Sequence, residues 1–542
     1  MIATINKPAG PGVDSPLTVL SKRQAGVCMH LTSLPGAFGI GEIGDSSFRF
    51  IDSLAEMGLS VWQFLPTGPT AYADSPYQSS SSYAGNPLLI DLAALLDEGL
   101  VTDSELVEFE TLPEDVVDFG ELIPRKTQLL ARVGERFAVS ATRSRRFARD
   151  EFVATHDRHW LHDYALYEIL KTMHQQREWR EWDRAYAMRN PKSLRTIEKA
   201  AHNQIDSIKS IQFIFFEQWR KLQNYAAGKG VRLMGDLPIY VALDSADAWA
   251  RPDLLYLRED GTPIDFAGVP PDYFSAKGQR WGNPLYRWDR HAADGYQWWI
   301  SRIRHATTMA DLIRLDHFRG FEAYWAVPAE ADTARDGEWR PGPGEDLFDA
   351  LQDALGHLPI VAEDLGVITP EVDALRKRFG FPGMKVLQFM VVEEKFDAEC
   401  ISQDCVCYTG TSDNDTTMGW FHNGLTAMYP PAKARRAQAA VLRHTHGYAK
   451  TIHENLIRLA FSTKASLAMA PMQDYLGLGS MARMNTPGTT NNNWRWRLRN
   501  EQVNPHLYEW VRHAVTESGR GGDVTIASGR TKMLSPIDAS QE

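Results

Sequence analysis

The stretch PIVAEDLGVITPEVDALRKRFGFPGMKVLQF (359–389) decides how the chain folds. It opens on a short apolar run, PIVAED (359–364), that ends in two acids, and passes through PEVDALRKRFG (370–380), where apolar residues recur at helical spacing. It closes on a second β-rich run, MKVLQF (384–389). A strand, a polar turn, an amphipathic helix and another strand make one repeat of an α/β sheet.

Six more runs of this kind lie outward from it: GVCMHL (26–31), SVWQFL (60–65), VRLMGDL (231–237), DLIRLD (311–316), CVCYTG (405–410) and SLAMAP (466–471). Most end in a polar or charged turn. Helical patterns such as SSFRFIDSLAEMG (46–58) and DLFDALQDALGH (346–357) alternate with them. Eight strands with alternating helices predict a (β/α)8 barrel, an α/β fold whose active site lies at the carboxyl ends of the strands.

Two interruptions are expected in residues 23–515, the span assigned to the barrel. From about 91 to 228 charged, helix-favouring sequence such as RSRRFARDEFVATHDRHWLHDYALYEIL (143–170) predicts an inserted helical subdomain. The Gly-, Pro- and aromatic-rich stretch 251–288 predicts a long loop lining a substrate groove. Residues 1–22 are read as an N-terminal lead and 516–542 as a flexible tail, with no separate C-terminal β-domain.

Composition narrows the function. The 542 residues are 43% hydrophobic and 23% charged, which describes a folded globular protein. With 58 Lys+Arg against 69 Asp+Glu the net charge is −11, and no basic run forms a phosphate-binding stripe, so nucleic acid is not an expected partner. The polar, Pro/Gly-punctuated start and the lack of a long apolar run predict a cytoplasmic protein without membrane partners. Of the four cysteines, Cys405 and Cys407 share a strand face without a completing ligand set, and reduced buried thiols with no metal are expected. GIGEIG (39–44) lacks the preceding strand of a phosphate-cradling loop and reads as a barrel-mouth turn, so no cofactor is expected.

Three predicted strand ends bear carboxylates: Asp316 in IRLDHFRGF, Glu363 in VAEDLG and Asp413 in TGTSDNDTTMGW. Strands that neighbour each other, or lie one apart, would bring all three into one barrel mouth. Retaining cleavage of a glycosidic bond needs a nucleophilic carboxylate and a carboxylic acid on opposite sides of the anomeric carbon. Arg314, two residues before Asp316 and so on its face of the strand, suits the nucleophile; Glu363, without such a neighbour, suits the acid. Asp364 and Asp415 adjoin two of these acids and read equally well as supports or turn residues. The aromatic and amide side chains of the 266–284 stretch, Tyr273, Phe274, Gln279 and Trp281 among them, suit the apolar faces and polar rims of sugar rings.

These motifs resemble those of the amylomaltase or disproportionating-enzyme family, glycoside hydrolase family 77. So do LTSLPGAFGIGEIG, SPYQSSSSYAGNP, GDLPIYVALDSADAW, AGVPPDYFSAKGQRWGNPLYRW, APMQDYLGLG and RMNTPGT followed by NNNWRWR, in chain order over roughly residues 23–500. The resemblance implies 4-α-glucanotransferase activity: segments of maltooligosaccharides or of starch- or glycogen-derived α-1,4-glucans pass to other such chains, with glucose as an acceptor. It implies Asp316 as nucleophile, Glu363 as general acid/base and Asp413 as the transition-state-stabilising carboxylate. Arg314 and His317 would flank the nucleophile, Tyr77 would offer a ring face beneath the sugar, and Asp236, Gln279, Trp281 and Asn485 would line neighbouring subsites. The family pattern has His immediately before the third carboxylate, where this chain has Ser412; a shorter donor there implies weaker stabilisation or compensation by a residue such as His317. The same carboxylates would also serve an α-glucan hydrolase, and the groove alone a catalytically silent glucan-binding protein.

Overall fold

The computed structural model describes residues 22–271 and 275–521. In chain order its strands are β1 (Gln24–Cys28), β2 (Val61–Gln63), β3 (Arg232–Leu237), β4 (Asp265–Val269), β5 (Gln279–Pro284), β6 (Leu312–Leu315), β7 (Ala323–Pro328), β8 (Glu338–Pro341), β9 (Ile360–Ala362), β10 (Gly383–Val386), β11 (Cys405–Tyr408) and β12 (Leu467–Pro471). Eight of them pair in parallel in the order β10-β11-β12-β1-β2-β3-β6-β9. The Ala362 N–H donates to the Pro382 carbonyl at 2.8 Å, so the edge strands β9 and β10 meet and the barrel is nearly closed. These eight are the runs picked out in the sequence, and a (β/α)8 barrel is what they form.

Parallel strands covered on both faces read as continuous apolar runs. Their inward side chains fill the barrel: Val61, Met234, Leu312, Val361, Val406 and Met469 form one buried interior cluster. Gly26 on β1 leaves room for that filling, because a Cβ there would come within 2.5 Å of the Met469 sulfur and of the Val61 carbonyl. Outside, the helix Asp45–Met57 buries Phe50, Ile51, Leu54 and Met57 and ends at Gly58, whose φ of 79° supplies the left-handed cap that stops it.

Between β2 and β3 the chain is helical, most prominently in Phe119–Ser140 and His202–Gly228. Both put apolar residues into the main core, including Leu122, Leu129, Val133, Phe213 and Trp219. Each fully buried side chain of this kind contributes about 1.5–3 kcal/mol. Lys126, wholly buried, pairs with Glu42 and donates to the Ile90 carbonyl at 2.8 Å, which ties the Phe119–Ser140 helix to the GIGEIG turn.

Three expectations need correction. The 251–288 stretch is not a simple loop: it contains β4 and β5, which join β7 and β8 in a four-stranded antiparallel sheet of order β5-β4-β7-β8. Gly and Pro within these short strands, and a register shift between Phe266 and Gly268, hid the alternation that marks a strand. The chain is also held past 515: a helix runs Pro505–Glu517, and buried Arg520 donates to the carbonyls of Phe461, Gln24 and Thr463. Of the cysteines, Cys405 and Cys407 are buried, but Cys400 is exposed and Cys28 half-buried. The lead through residue 21, Tyr273, Phe274 and the tail from 522 lie outside the described residues.

Candidate active site

Asp316 is the residue after β6 and Glu363 the residue after β9, and these strands are neighbours in the barrel. The Glu363 N–H extends the ladder to the Leu315 carbonyl at 3.0 Å, and the Phe318 N–H returns to the Glu363 carbonyl at 3.0 Å. Between them His317 turns through a left-handed conformation, φ 50°, uncommon for a residue with a side chain. That turn aims the His317 N–H at Glu363 Oε2, 2.8 Å away, while the Leu365 N–H reaches Oε1 at 3.0 Å.

Behind Asp316 lies a charged relay. Register pairs Asp236 on β3 with Arg314 on β6, and Arg314 Nη1 stands 2.8 Å from both Asp236 oxygens and 3.0 Å from Asp316 Oδ1. The Tyr77 hydroxyl donates to Asp236 Oδ2 at 2.7 Å. Tyr77, Asp236, Arg314 and Ser412 line one cavity, whose floor includes Cys28 and Gln63. Tyr408 Oη and Cys28 Sγ both donate to Gln63 Oε1, at 2.8 and 3.1 Å.

Burial pushes the Glu363 carboxyl up to about 8; Arg314 opposes the shift, the Asp316 charge adds to it, and the two amide donors oppose it too weakly to win. Asp236 rises to about 6, again through burial first, against Arg314 and Tyr77. Burial lowers His317 to about 4, so its ring is neutral at pH 7, and its buried Nε2 has no protein partner. The ring stands edge-on to Trp281 with centroids 4.9 Å apart, and Trp281 Nε1 donates to Gln279 Oε1 at 3.2 Å.

Asp413 lies five residues past β11, on a loop open to the mouth. The cleft walls thin the water around it, and this desolvation raises its carboxyl although Asn485 opposes. Asn485 Nδ2 donates to Asp413 Oδ1 at 2.5 Å, and Arg483 Nη2 to the Asp413 carbonyl at 2.6 Å. Asn485, expected to line a subsite, is therefore first of all a partner of Asp413. The neighbouring acids are supports: Asp364 accepts the Met384 N–H at 2.7 Å, and Asp415 accepts the Ser480 hydroxyl at 2.7 Å.

Sequence reasoning missed three residues here. Gln78 holds Trp281 and Asn283 with its amide, at 3.3 Å to the Trp281 carbonyl and 2.9 Å to Asn283 Oδ1. Trp494, itself left-handed at φ 64°, sets its ring against Tyr77 with centroids 5.8 Å apart. Asp474 is buried beneath the Asp413 loop. Gln78 adjoined a quoted tyrosine, and Trp494 and Asp474 lay inside quoted motifs, but nothing local marked what they touch. Among the described residues no group of three or more His, Cys, Asp and Glu could hold a metal ion.

The family profile described as 4-alpha-glucanotransferase, glycoside hydrolase family 77, matches residues 29–503. The chain is 44% identical over 496 residues to the 4-alpha-glucanotransferase of Synechocystis sp., covering 90% of this chain and 96% of that protein. It is also 44% identical over 497 residues to the 4-alpha-glucanotransferase of Thermus thermophilus, covering 89% and 96%. Its fold superposes on the amylomaltase of Streptococcus agalactiae, solved in complex with acarbose, with a TM-score of 0.87 at 34% identity, covering 92% of this chain and all of that one. With sequence, barrel and cleft in agreement, this chain belongs to the 4-alpha-glucanotransferase family, and it is a transferase acting on α-glucans.

Proposed function

We propose that the enzyme transfers α-1,4-glucan segments by a retaining double displacement in which Asp316 attacks the anomeric carbon and Glu363 gives its proton to the departing sugar oxygen. The observation that carries this reading is the pairing of the two carboxyls on adjacent strand ends. Glu363 accepts a hydrogen bond from the N–H of His317, the residue after Asp316, and holds its own proton up to about 8, while Asp316 has Arg314 at 3.0 Å. At neutral pH that arrangement supplies one acid and one nucleophile.

In the second half, Glu363 takes a proton from the 4-hydroxyl of an acceptor chain, which attacks the glucosyl-Asp316 ester and releases the carboxylate. Asp413, across the cleft, stabilises the positive charge that grows on the sugar ring in both halves. His317 Nε2 is free to bond a sugar hydroxyl, and Ser412 offers a shorter donor beside Asp413. Tyr77 presents its ring to the donor sugar, with Asp236 and Arg314 beneath, and Gln279, Trp281 and Asn485 lie along the neighbouring subsites. Maltooligosaccharides and starch- or glycogen-derived chains are the proposed donors, glucose an acceptor and the cytoplasm the proposed location. The acarbose complex of the Streptococcus agalactiae relative supports an oligosaccharide in this cleft.

The step is tested by incubating the enzyme with a fluorinated glucosyl fluoride, which forms the ester quickly and releases it slowly, then digesting and weighing the peptides. Added sugar mass on the peptide carrying Asp316 is expected. Label on another carboxylate, or inactivation without label, would overturn the assignment.

A further inference from the structure

The loop that carries Asp413 begins at Gly410, after β11, and ends at Thr416, before the short helix Thr417–Gly419. A single buried carboxylate holds both ends. Asp474 Oδ2 accepts the hydroxyls of Thr409 and Thr417, each at 2.7 Å, and Asp474 Oδ1 accepts the Thr417 N–H at 2.7 Å. Asp474 is 1% exposed, and no salt bridge joins it to a cation among the described residues. A carboxylate without a counter-ion is expensive to bury: burial raises the Asp474 carboxyl above its ordinary range, and the three hydrogen bonds from Thr417 and Thr409 oppose that shift in part.

The middle of the loop is held from the same side. The segment 480–485 supplies Ser480 to Asp415 at 2.7 Å, Arg483 to the Asp413 carbonyl at 2.6 Å and Asn485 to the Asp413 carboxylate at 2.5 Å. The fit is close: a Cβ on Gly419 would lie 2.2 Å from the Ser480 hydroxyl oxygen.

We infer that Asp474 is the positioning residue of Asp413, a buried post that pins both ends of the catalytic loop so that segment 480–485 can aim its carboxylate across the cleft. This rests on the proposed role of Asp413. Asp474 touches no substrate; it acts by fixing where Asp413 stands, and displacement of a catalytic group by about 1 Å can lower a rate by 10²-fold.

The test is a double-mutant cycle on the full-length enzyme with maltotriose, using Asp413→Ala, Asp474→Ala and the two together, with thermal unfolding followed in parallel. Asp474→Ala is expected to lower kcat by about 30- to 100-fold while KM stays within about 3-fold, because binding does not need Asp413 in place. In the Asp413→Ala background the same change should alter kcat by less than about 2-fold. Thr409→Val, which removes one of the three donors with little change of shape, should lower kcat in the same direction and by less, and gives the answer if Asp474→Ala does not fold. Additive losses, a loss in KM alone, or a lowered unfolding temperature with kcat unchanged would overturn the inference. An Asp413→Ala enzyme that transfers normally would overturn the role of Asp413 first, and the inference with it.

Discussion

The two walls of the cleft are built differently. Asp316 and Glu363 stand on the last rungs of adjacent parallel strands, and backbone ladder bonds set their spacing. Asp413 stands out on a loop, and side chains 61 to 72 residues further along the chain, from Asp474 to Asn485, hold it there. A wall made of backbone keeps its geometry through most side-chain changes. A wall made of side-chain hydrogen bonds is open to tuning and to failure one residue at a time, and Ser412, the residue before Asp413, lies on that second wall.

The largest effect should come from the backbone-built wall. Glu363→Gln keeps the shape but removes the transferable proton, and kcat should fall by about 10²- to 10⁴-fold; a smaller loss, measured as glucose released from maltotriose, would mean another acid serves. The same variant should be more stable than the parent at neutral pH. The folded enzyme holds the Glu363 proton up to about 8, whereas the unfolded chain loses it near the ordinary value of 4.5, so the parent's stability falls as pH rises between those values. Gln cannot ionise, so the difference in unfolding temperature should grow across that window and level off above it.

On the loop wall, Asn485→Ala removes one charge-assisted hydrogen bond to Asp413 and should lower kcat about 10-fold. A loss as large as that of Glu363→Gln would erase the contrast between the walls. Next in size is the pH profile: kcat/KM should decline as pH climbs through about 8, where Glu363 gives up its proton, and a decline starting near pH 6 would assign the limb to Asp236 instead. The smallest change is Ser412→His, which should raise the transfer rate by about 2- to 5-fold by extending a donor toward the sugar. An unchanged or lower rate would show that His317, neutral and unpartnered at Nε2, already fills that need.

Much of the backbone-built wall is legible in the sequence. PIVAED is apolar up to its acid, and DLIRLD is apolar but for Arg314 between Asp311 and Asp316, because parallel strands are buried on both faces and emerge into the mouth at their last residue. Arg314 two residues before Asp316 placed both on one face, but its tighter bond to Asp236 depends on the register of β3 against β6, which spacing alone does not reveal. The antiparallel sheet was hidden because strands such as AYWAVP and EWRP are short, bear prolines and show no clean alternation. The loop wall was legible as motifs but not as a mechanism. Asn485 and Asp474 were both visible in their motifs, and only the fold brings them to Asp413 and its loop.

Incubation of the purified enzyme with maltotriose alone, following free glucose and total reducing ends together, tests the central claim most directly. The account predicts glucose and longer maltooligosaccharides at a constant number of reducing ends. A rising number of reducing ends would make the enzyme a hydrolase, and no change in either would leave the cleft a binding site without catalysis.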